Sequence, residues 1–427
     1  MPDCRVVSVF GVVPDNRGND WDHLAEEYND KLFAGWLQLL FQQSPALPSR
    51  LATQHRCGTA RIADVSQFTK GAYNICCIVT FDDEFRALVR FPILGRSRFR
   101  TEKSRNEAPV MKLLSQNTAL PVPGILGMGR WGCGPYLVIT FIEGTLFLNP
   151  NVSDSDIQSA YRVMAQVILV LSKPIFSSIG ALEEGSQMWK VAQRPLTLNM
   201  NELVRVGNLP PGIFAEGTFS TAGEYFEELA RQQLSHLQYQ RNDAKYIARC
   251  LSRKIAREYK KQQLGPFHLY CEDSRPSNVL FAGQDFSLTG VIYWKFTYVA
   301  PAEFTYTAPW WLLIESPEAW ESDLHVFLAR YTPRLHLFLN ALRSCEDEMI
   351  RKGALKEYQR LSERMSESLN NGLFGSALLL GKATYRLSLL PQELDGLKMF
   401  VSSKMQQPRE NHLGEHMSMG KLIDLYC

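Results

Sequence analysis

Between residues 20 and 43 apolar side chains recur at helical spacing (Trp21, Leu24, Tyr28, Leu32, Trp36, Leu39 and Leu40) with acidic residues between them. That period predicts an amphipathic helix, and the Pro and Ser cluster from Ser44 to Ser49 is expected to end it. From Val65 the texture changes to short β-rich runs: Val65 to Phe68, Tyr73 to Phe81 and Ala87 to Phe91, separated by Lys70-Gly71 and by Asp82-Asp83-Glu84. Three strands joined by tight turns make a meander. A helix is expected across Glu102 to Gln116, where Ala108, Met111, Leu113 and Leu114 give an apolar stripe and Pro121 and Pro123 stop it. Two further strand-like runs, Gly124 to Gly129 and Tyr136 to Phe141, end at Glu143-Gly144.

Beyond this point the pattern is mostly helical. Ser153 with Asp156 resembles a capping box, followed at three- and four-residue steps by Ile157, Ala160, Met164, Val167 and Leu171. Further helices are expected at 222 to 262, 318 to 330, 334 to 351 and 354 to 380. A β-hairpin, Val279 to Phe281 and Leu288 to Trp294 around Ala282-Gly283-Gln284-Asp285, is the one interruption predicted. Residues 183 to 217, with Pro195, Pro210 and Pro211, read as an irregular insertion over the helical lobe. The layout is α+β and two-lobed. Residues 1–142 form a small lobe with a leading helix, a five-stranded antiparallel sheet and one packed helix. Residues 143–427 form a helical lobe that carries the loop 269–278 and the hairpin 279–294.

At 427 residues the chain is long enough for both lobes. A net charge of +2 leaves no field with which to attract a polyanion, so nucleic acid is not an expected partner. The basic cluster Arg253, Lys254, Arg257, Lys260 and Lys261 reads as a solvated helix face. Nine cysteines without metal-like spacing read as reduced thiols, and His268 as a packed residue of a strand. No apolar run approaches the roughly 20 residues needed to span a bilayer, and no leader is recognisable at the N-terminus, so a cytoplasmic protein with no membrane partner is expected.

The chemically rich stretch is Leu269-Tyr-Cys-Glu-Asp-Ser-Arg-Pro-Ser-Asn278, followed after the hairpin by Thr289-Gly-Val-Ile-Tyr-Trp-Lys295. An Asp followed five residues later by an Asn, on a loop before a hairpin, is how kinases place a catalytic base beside a metal ligand. Asp273 would accept the proton of a substrate hydroxyl and Asn278 would hold magnesium, if magnesium is bound. The hairpin should then end in a second carboxylate that bridges metal and phosphates.

These stretches resemble the aminoglycoside phosphotransferase family, which has a protein-kinase-like fold, and particularly its members from filamentous fungi. The resemblance covers most of the chain. It rests on Phe68-Thr-Lys-Gly-Ala-Tyr-Asn74, Leu88-Val-Arg-Phe-Pro92, Arg105-Asn-Glu107, Leu120-Pro-Val-Pro123, Gly134-Pro135 with Phe141-Ile-Glu-Gly144, Arg275-Pro-Ser-Asn278, Thr289-Gly-Val-Ile292 and Ala300-Pro-Ala-Glu-Phe304 with Pro309-Trp-Trp311. It implies that Gly71 is the phosphate-loop glycine, Arg90 the cation of the third strand and Glu107 its partner on the helix.

The departures fall in the site. Where the family has His two residues before the catalytic Asp, this chain has Cys271. Where it has an apolar residue after that Asp, this chain has Ser274. The family's Gly-Val-Ile-Asp-Trp-Glu appears as Gly290-Val-Ile-Tyr-Trp-Lys295, so Tyr293 and Lys295 replace two carboxylates. A tyrosine, with a reference pKa of about 10, is neutral near pH 7 and cannot serve as a carboxylate. Glu272 and Asp285 are the nearby carboxylates that could stand in.

The sequence therefore reads as a family relative acting on a small molecule in the kinase cleft, with Mg-ATP phosphoryl transfer lost. Its site would be turned to acid/base chemistry through Asp273, Tyr293, Lys295 and Cys271, with no cofactor required. One alternative is an active ATP- and magnesium-dependent phosphotransferase with Asp273 as base. The other is a non-catalytic pseudokinase that binds a partner or nucleotide.

Overall fold

A computed structural model describes residues 7–8, 20–146, 154–185, 188–237, 253, 256–257, 265–283, 287–315 and 324–368. These residues fall into two compact units. The first takes those within Met1–Asn149, Ala181–Pro211 and Cys271–Tyr298, and the second takes those within Pro150–Gly180, Gly212–Tyr270 and Val299–Cys427.

The first unit is built on a sheet of seven strands: β1 (Val7–Ser8), β2 (Ile62–Val65), β3 (Thr69–Lys70), β4 (Asn74–Phe81), β5 (Arg86–Pro92), β6 (Ile125–Trp131) and β7 (Gly134–Thr140). The order is β1-β3-β4-β5-β7-β6, with β2 also paired to β4. The five expected strands thus become seven, and β1 pairs with β3 in parallel rather than antiparallel. Strand pairing alternates side chains between the two faces of the sheet. Ile75, Cys77, Val79 and Phe81 of β4, with Ala87, Val89 and Phe91 of β5, point into one core. Cys76, Ile78, Leu88 and Arg90 take the opposite face, in register as Cys76↔Arg90 and Ile78↔Leu88.

Two helices cover the first face. Helix α1 (Asp20–Gln42) buries Trp36 and Leu40 there, whereas Leu24, Tyr28 and Leu39 of the predicted stripe are exposed. Helix α2 (Ala46–His55) was not expected, because Pro45 and Pro48 read as a break. Both prolines lie at or before its first turn, where a missing N–H leaves no helical bond unmade. Leu47, Leu51 and Ala52 then seal the core.

Helix α3 (Arg100–Asn117) lies on the other side, and the segment expected as an irregular insertion packs on it. That segment forms a hairpin of β9 (Ala181–Glu184) and β10 (Trp189–Gln193), then helix α5 (Leu198–Arg205), whose first turn is capped by Thr197 Oγ1 accepting from the Met200 N–H at 3.0 Å. Arg194 reaches Glu102 of α3 through two 2.8 Å bonds, and Lys112 of α3 pairs with Glu184 at 2.7 Å. It therefore belongs with the sheet-bearing unit, and not with the helical one as its position in the sequence suggested.

A second small sheet, β13-β12-β8, joins β8 (Thr145–Leu146) to the predicted hairpin, β12 (Val279–Ala282) and β13 (Ser287–Val291). The hairpin's tip at 284–286, with Asp285, lies outside the described residues. Gly144, at φ +152°, lets the chain pass this sheet: a β-carbon there would lie 2.4 Å from Thr289 Oγ1 and 2.9 Å from Leu280 Cβ.

The second unit is mainly helical. Helix α4 (Asp154–Ser172) packs on a single helix Leu324–Arg351, which the sequence had split at Pro333. Tyr161 of α4 donates to the Leu312 carbonyl at 2.5 Å, and Trp311 meets Phe338 edge-on at 5.5 Å, which places that tryptophan in the core. His268 is buried, and its Nδ1 lies 3.2 Å from the Pro174 carbonyl oxygen, so it packs as expected. The strand expected around His268 is β11 (Phe267–Cys271), whereas β14 (Thr297–Pro301) was not separated from the helical pattern by sequence. Of the expected helices, 222–262 is described as Ala222–Leu237 with Arg253, Ala256 and Arg257 helical beyond it; within 354–380, residues 354–361 form bends and the short 3-10 helix Glu357–Gln359 rather than an α-helix, which is confined to Ser362–Glu367. The rest of 222–262, with Lys254, Lys260 and Lys261, and residues 369–380 lie outside the described residues, as does Ser153. No helix among the described residues is long and apolar enough to cross a membrane.

Candidate functional site

Lys103, Glu107 and Met111 are spaced four apart on α3, so they share one face of the helix. That face meets the sheet where β5 presents Arg90. Arg90 Nη2 donates to Glu107 Oε2 in an ion pair buried at both ends. Lys103 is also buried, and its ammonium reaches the Asn74 side-chain oxygen at 3.4 Å. Burial, followed by repulsion from Lys295, holds its pKa well below the ordinary lysine range.

The turn after β3 carries Gly71, whose N–H donates to the Asn74 carbonyl at 2.8 Å. A β-carbon at Gly71 would sit 3.7 Å from Tyr293 Oη, so the tyrosine hydroxyl stands directly beside this turn. Tyr293 and Phe296 are both left-handed, at φ +64° and +57°, a conformation that costs a non-glycine residue of order 1–3 kcal/mol. Between them Trp294 is buried and its indole N–H donates to the Val291 carbonyl at 3.0 Å. The indole anchors the segment, and the two left-handed residues turn Tyr293 and Lys295 inward around it.

Lys295 completes the arrangement. Its ammonium donates to Asp273 Oδ2 in a buried ion pair and lies 4.9 Å from the ring centres of both Tyr73 and Tyr293. Asn278 Nδ2 donates to the Asp273 carbonyl at 2.5 Å and to Oδ2 at 3.1 Å, while Arg275 Nε lies 3.5 Å from Oδ1. Burial raises the pKa of Asp273, but the charges of Lys295 and Arg275 outweigh it, and the carboxyl is held below its usual range. Tyr293 moves the other way, since burial pushes its hydroxyl above the ordinary tyrosine value.

Two sequence candidates stand differently. Cys271 is buried, its thiol pushed up to about 12 by burial, so at neutral pH it is a protonated packing group without nucleophilic character. Glu272 is turned away: its carboxylate accepts from the Leu198 N–H at 2.5 Å and the Tyr298 hydroxyl at 3.2 Å. It ties α5 to the loop and is not available as the alternative metal carboxylate that the sequence allowed. Lys103, Arg275 and Tyr73 were not singled out from sequence for any role. The four-residue step from Lys103 to Glu107 was the available signal.

A magnesium ion fits these residues poorly. The nearest carboxylate already holds an ammonium ion, Asn278 turns its N–H donors toward that carboxylate, and the second position is a neutral phenol. Among the described residues no group of three or more His, Cys, Asp or Glu could hold a metal ion.

Beside the ion pairs the same unit forms a partly open pocket of about 240 Å³. Ile78, Leu88 and Ile139 of the larger sheet, Leu280 of the smaller one and Ile292 line it, with Arg90, Tyr293 and Gly71.

Residues 64–332, more than half of the chain, match the phosphotransferase enzyme family, APH. The chain belongs to this family. As a phosphotransferase-family protein it carries the kinase-like fold that its β-rich and helical units display. No curated protein matches the sequence. Among solved structures it is similar to an aminoglycoside phosphotransferase determined with ADP and hygromycin B (13% identity, 79% of this chain and 95% of that one, TM-score 0.45). It is also similar to a fructosamine-3-kinase from Thermobifida fusca (16%, 81% and 96%, TM-score 0.43) and to an aminoglycoside phosphotransferase from Ralstonia eutropha (12%, 83% and 94%, TM-score 0.43).

Proposed function

We propose that this phosphotransferase-family protein binds and acts on a small organic molecule without ATP or magnesium, and that phosphoryl transfer has been lost. The observation that carries this reading is the seat of Lys295: its ammonium lies on the Asp273 carboxylate, where the reaction of an active relative needs a base beside a divalent cation. A carboxylate that is paired, hydrogen-bonded by Asn278 and held below its usual pKa is a weak base. If Gly71 is the phosphate-loop glycine, the Tyr293 hydroxyl beside it takes the space of the transferred phosphates.

In this reading the acid/base role passes from Asp273 alone to the group. Lys295, oriented by Asp273 and by the faces of two tyrosines, is the proton donor, and Tyr293 is the neutral polar group beside it. Cys271 takes no part. A non-catalytic binding role is the second reading, favoured by one observation: Asp273 is saturated by Lys295, Asn278 and Arg275.

Titration calorimetry with ATP, with and without magnesium, tests the proposal. Binding should be weak and indifferent to magnesium. Tight magnesium-dependent binding with substrate-stimulated ADP release would restore the phosphotransferase. Turnover of an organic substrate that Lys295→Met abolishes, with the fold intact, would favour the acid/base role over simple binding.

A further inference from the structure

Lys295 and Asp273 are 4% and 7% exposed, so the pair is shut away from solvent. Two aromatic rings stand over the ammonium, those of Tyr73 and Tyr293, each with its centre 4.9 Å from Nζ. They are held differently. Tyr293 lines the pocket, on a segment that its left-handed backbone and the buried Trp294 fix in place. Tyr73 follows the exposed Ala72 in the turn after β3 and is itself half-buried. Besides Lys295, its ring meets the Lys103 ammonium at 5.6 Å and the Phe296 ring edge-on at 5.9 Å. Ring contacts of this kind are individually weak.

The backbone of the turn, by contrast, is tied down. The Gly71 N–H donates to the Asn74 carbonyl at 2.8 Å, the Ile93 N–H donates to the Tyr73 carbonyl at 2.9 Å, and Lys70 lies over the Phe33 ring of α1 at 4.6 Å. A lid that hinges as a whole would break all three. The Tyr73 side chain can instead turn about its first torsion, toward the solvent beside Ala72, and give up only ring contacts. Its phenol end already stands among charged groups, since Glu202, Arg205 and Arg275 act on the hydroxyl together with Asp273. The side chains of Glu202 and Arg275 are each 33% exposed. The ring therefore lies between the buried ammonium and a charged rim that water reaches.

We propose that Tyr73 is an aromatic gate over Lys295: with the ring down the ammonium is sealed, and outward rotation of the ring admits a small molecule to it past Glu202 and Arg275. This deepens the acid/base reading given above and rests on it, because a gate matters only if Lys295 has to be reached. It also reconciles that reading with the burial of its proton donor, which a single side chain on an exposed turn closes off.

The rate at which formaldehyde and cyanoborohydride methylate Lys295, mapped by mass spectrometry, reads the gate. Asp273 stays on Lys295 in every variant, so the cost of freeing the amine is common to all and the ratio of rates reports access. With the open state at about a tenth of the population or less, Tyr73→Ala should raise the rate at least about tenfold. Tyr73→Leu should raise it by less, and Tyr73→Phe, which keeps the ring, should leave it unchanged. Lys31, with a side chain 73% exposed, should react alike in all of these proteins, and the buried Cys77 should stay closed to a thiol reagent, which shows that the gain is local. If Tyr73→Ala does not fold, Tyr73→Leu against Tyr73→Phe decides. Methylation of Lys295 as fast as Lys31 in the wild-type chain, no gain on losing the ring, or an equal gain in Tyr73→Phe would overturn the gate. The readout needs neither substrate nor nucleotide, so the gate can fail while the metal-free function stands. Tight binding and turnover of Mg-ATP would remove that function and leave the methylation rates as they are.

Discussion

Two buried ion pairs lie in the same unit, and they leave opposite things behind. Arg90 and Glu107 tie β5 to α3, and Arg90 Nε and Glu107 Oε1 are both buried without a hydrogen-bond partner among the described residues. Asp273 and Lys295 tie the loop before β12 to the segment after β13, and with Asn278 and Arg275 they surround the carboxylate. The first pair leaves a polar atom on each partner unmatched. The second satisfies, from within the chain, a charge that an active phosphotransferase would offer to a metal. What a buried ionised residue can do is thus set by its partner more than by its identity.

The largest expected effect comes from undoing the second pair's replacement. In a chain carrying both Tyr293→Asp and Lys295→Glu, magnesium-dependent ATP affinity by calorimetry should rise at least about a hundredfold, because two carboxylates return beside Asn278. An unchanged affinity would mean that these two residues are not the barrier.

Next is the cost of breaking each pair. Glu107→Ala leaves Arg90 buried without a counter-charge and should lower unfolding free energy in urea by about 3–5 kcal/mol. Lys295→Met should cost less, about 2 kcal/mol, since Arg275 and Asn278 remain on Asp273. A larger loss for Lys295→Met than for Glu107→Ala would invert the comparison.

A smaller effect is expected in acid. The folded-state pKa of Asp273 lies below its unfolded value of about 3.9, so its contribution is complete above that pH and is lost as pH falls through the folded value. Lys295→Met should shallow this acid loss, read as the difference in urea stability between neutral and acidic solution. An equally steep loss in the variant would remove Lys295 as the cause.

The smallest effect is a gain. Lys103 is buried with its pKa depressed, so the folded state disfavours its charge wherever the unfolded chain is still protonated. Lys103→Met should therefore stabilise the protein by about 1 kcal/mol at pH 7, the gain fading as pH approaches about 10.4. A loss of stability at pH 7 would show that the contact with Asn74 outweighs burial.

Much of the fold was legible. The strands β4, β5 and β7 and the helices α1 and α3 follow from period and punctuation, because both faces of each element are set by local pattern. Helix α2 was missed because prolines were read as a break without regard to their place in the first turn. The segment 181–211 was assigned to the wrong unit, since the bonds from Arg194 to Glu102 and from Lys112 to Glu184 span about 70 to 90 positions in the chain. The site was legible as a set of residues at known spacing, but not as an arrangement. Cys271 looked available for chemistry until burial was known, and Lys103 did not stand out until α3 was seen to turn it toward Asn74.

By itself the sequence determined the family, the kinase-like succession of elements, and the presence of a phenol and an ammonium at Tyr293 and Lys295. Those are properties of residue order and type, which local pattern and motif spacing carry. Only the tertiary structure decided what these side chains do: Lys295 lies on Asp273, and the Tyr293 hydroxyl stands beside Gly71. Such facts depend on burial and on distances between residues up to about two hundred positions apart in the chain, and the free energy of a charge is set by those distances.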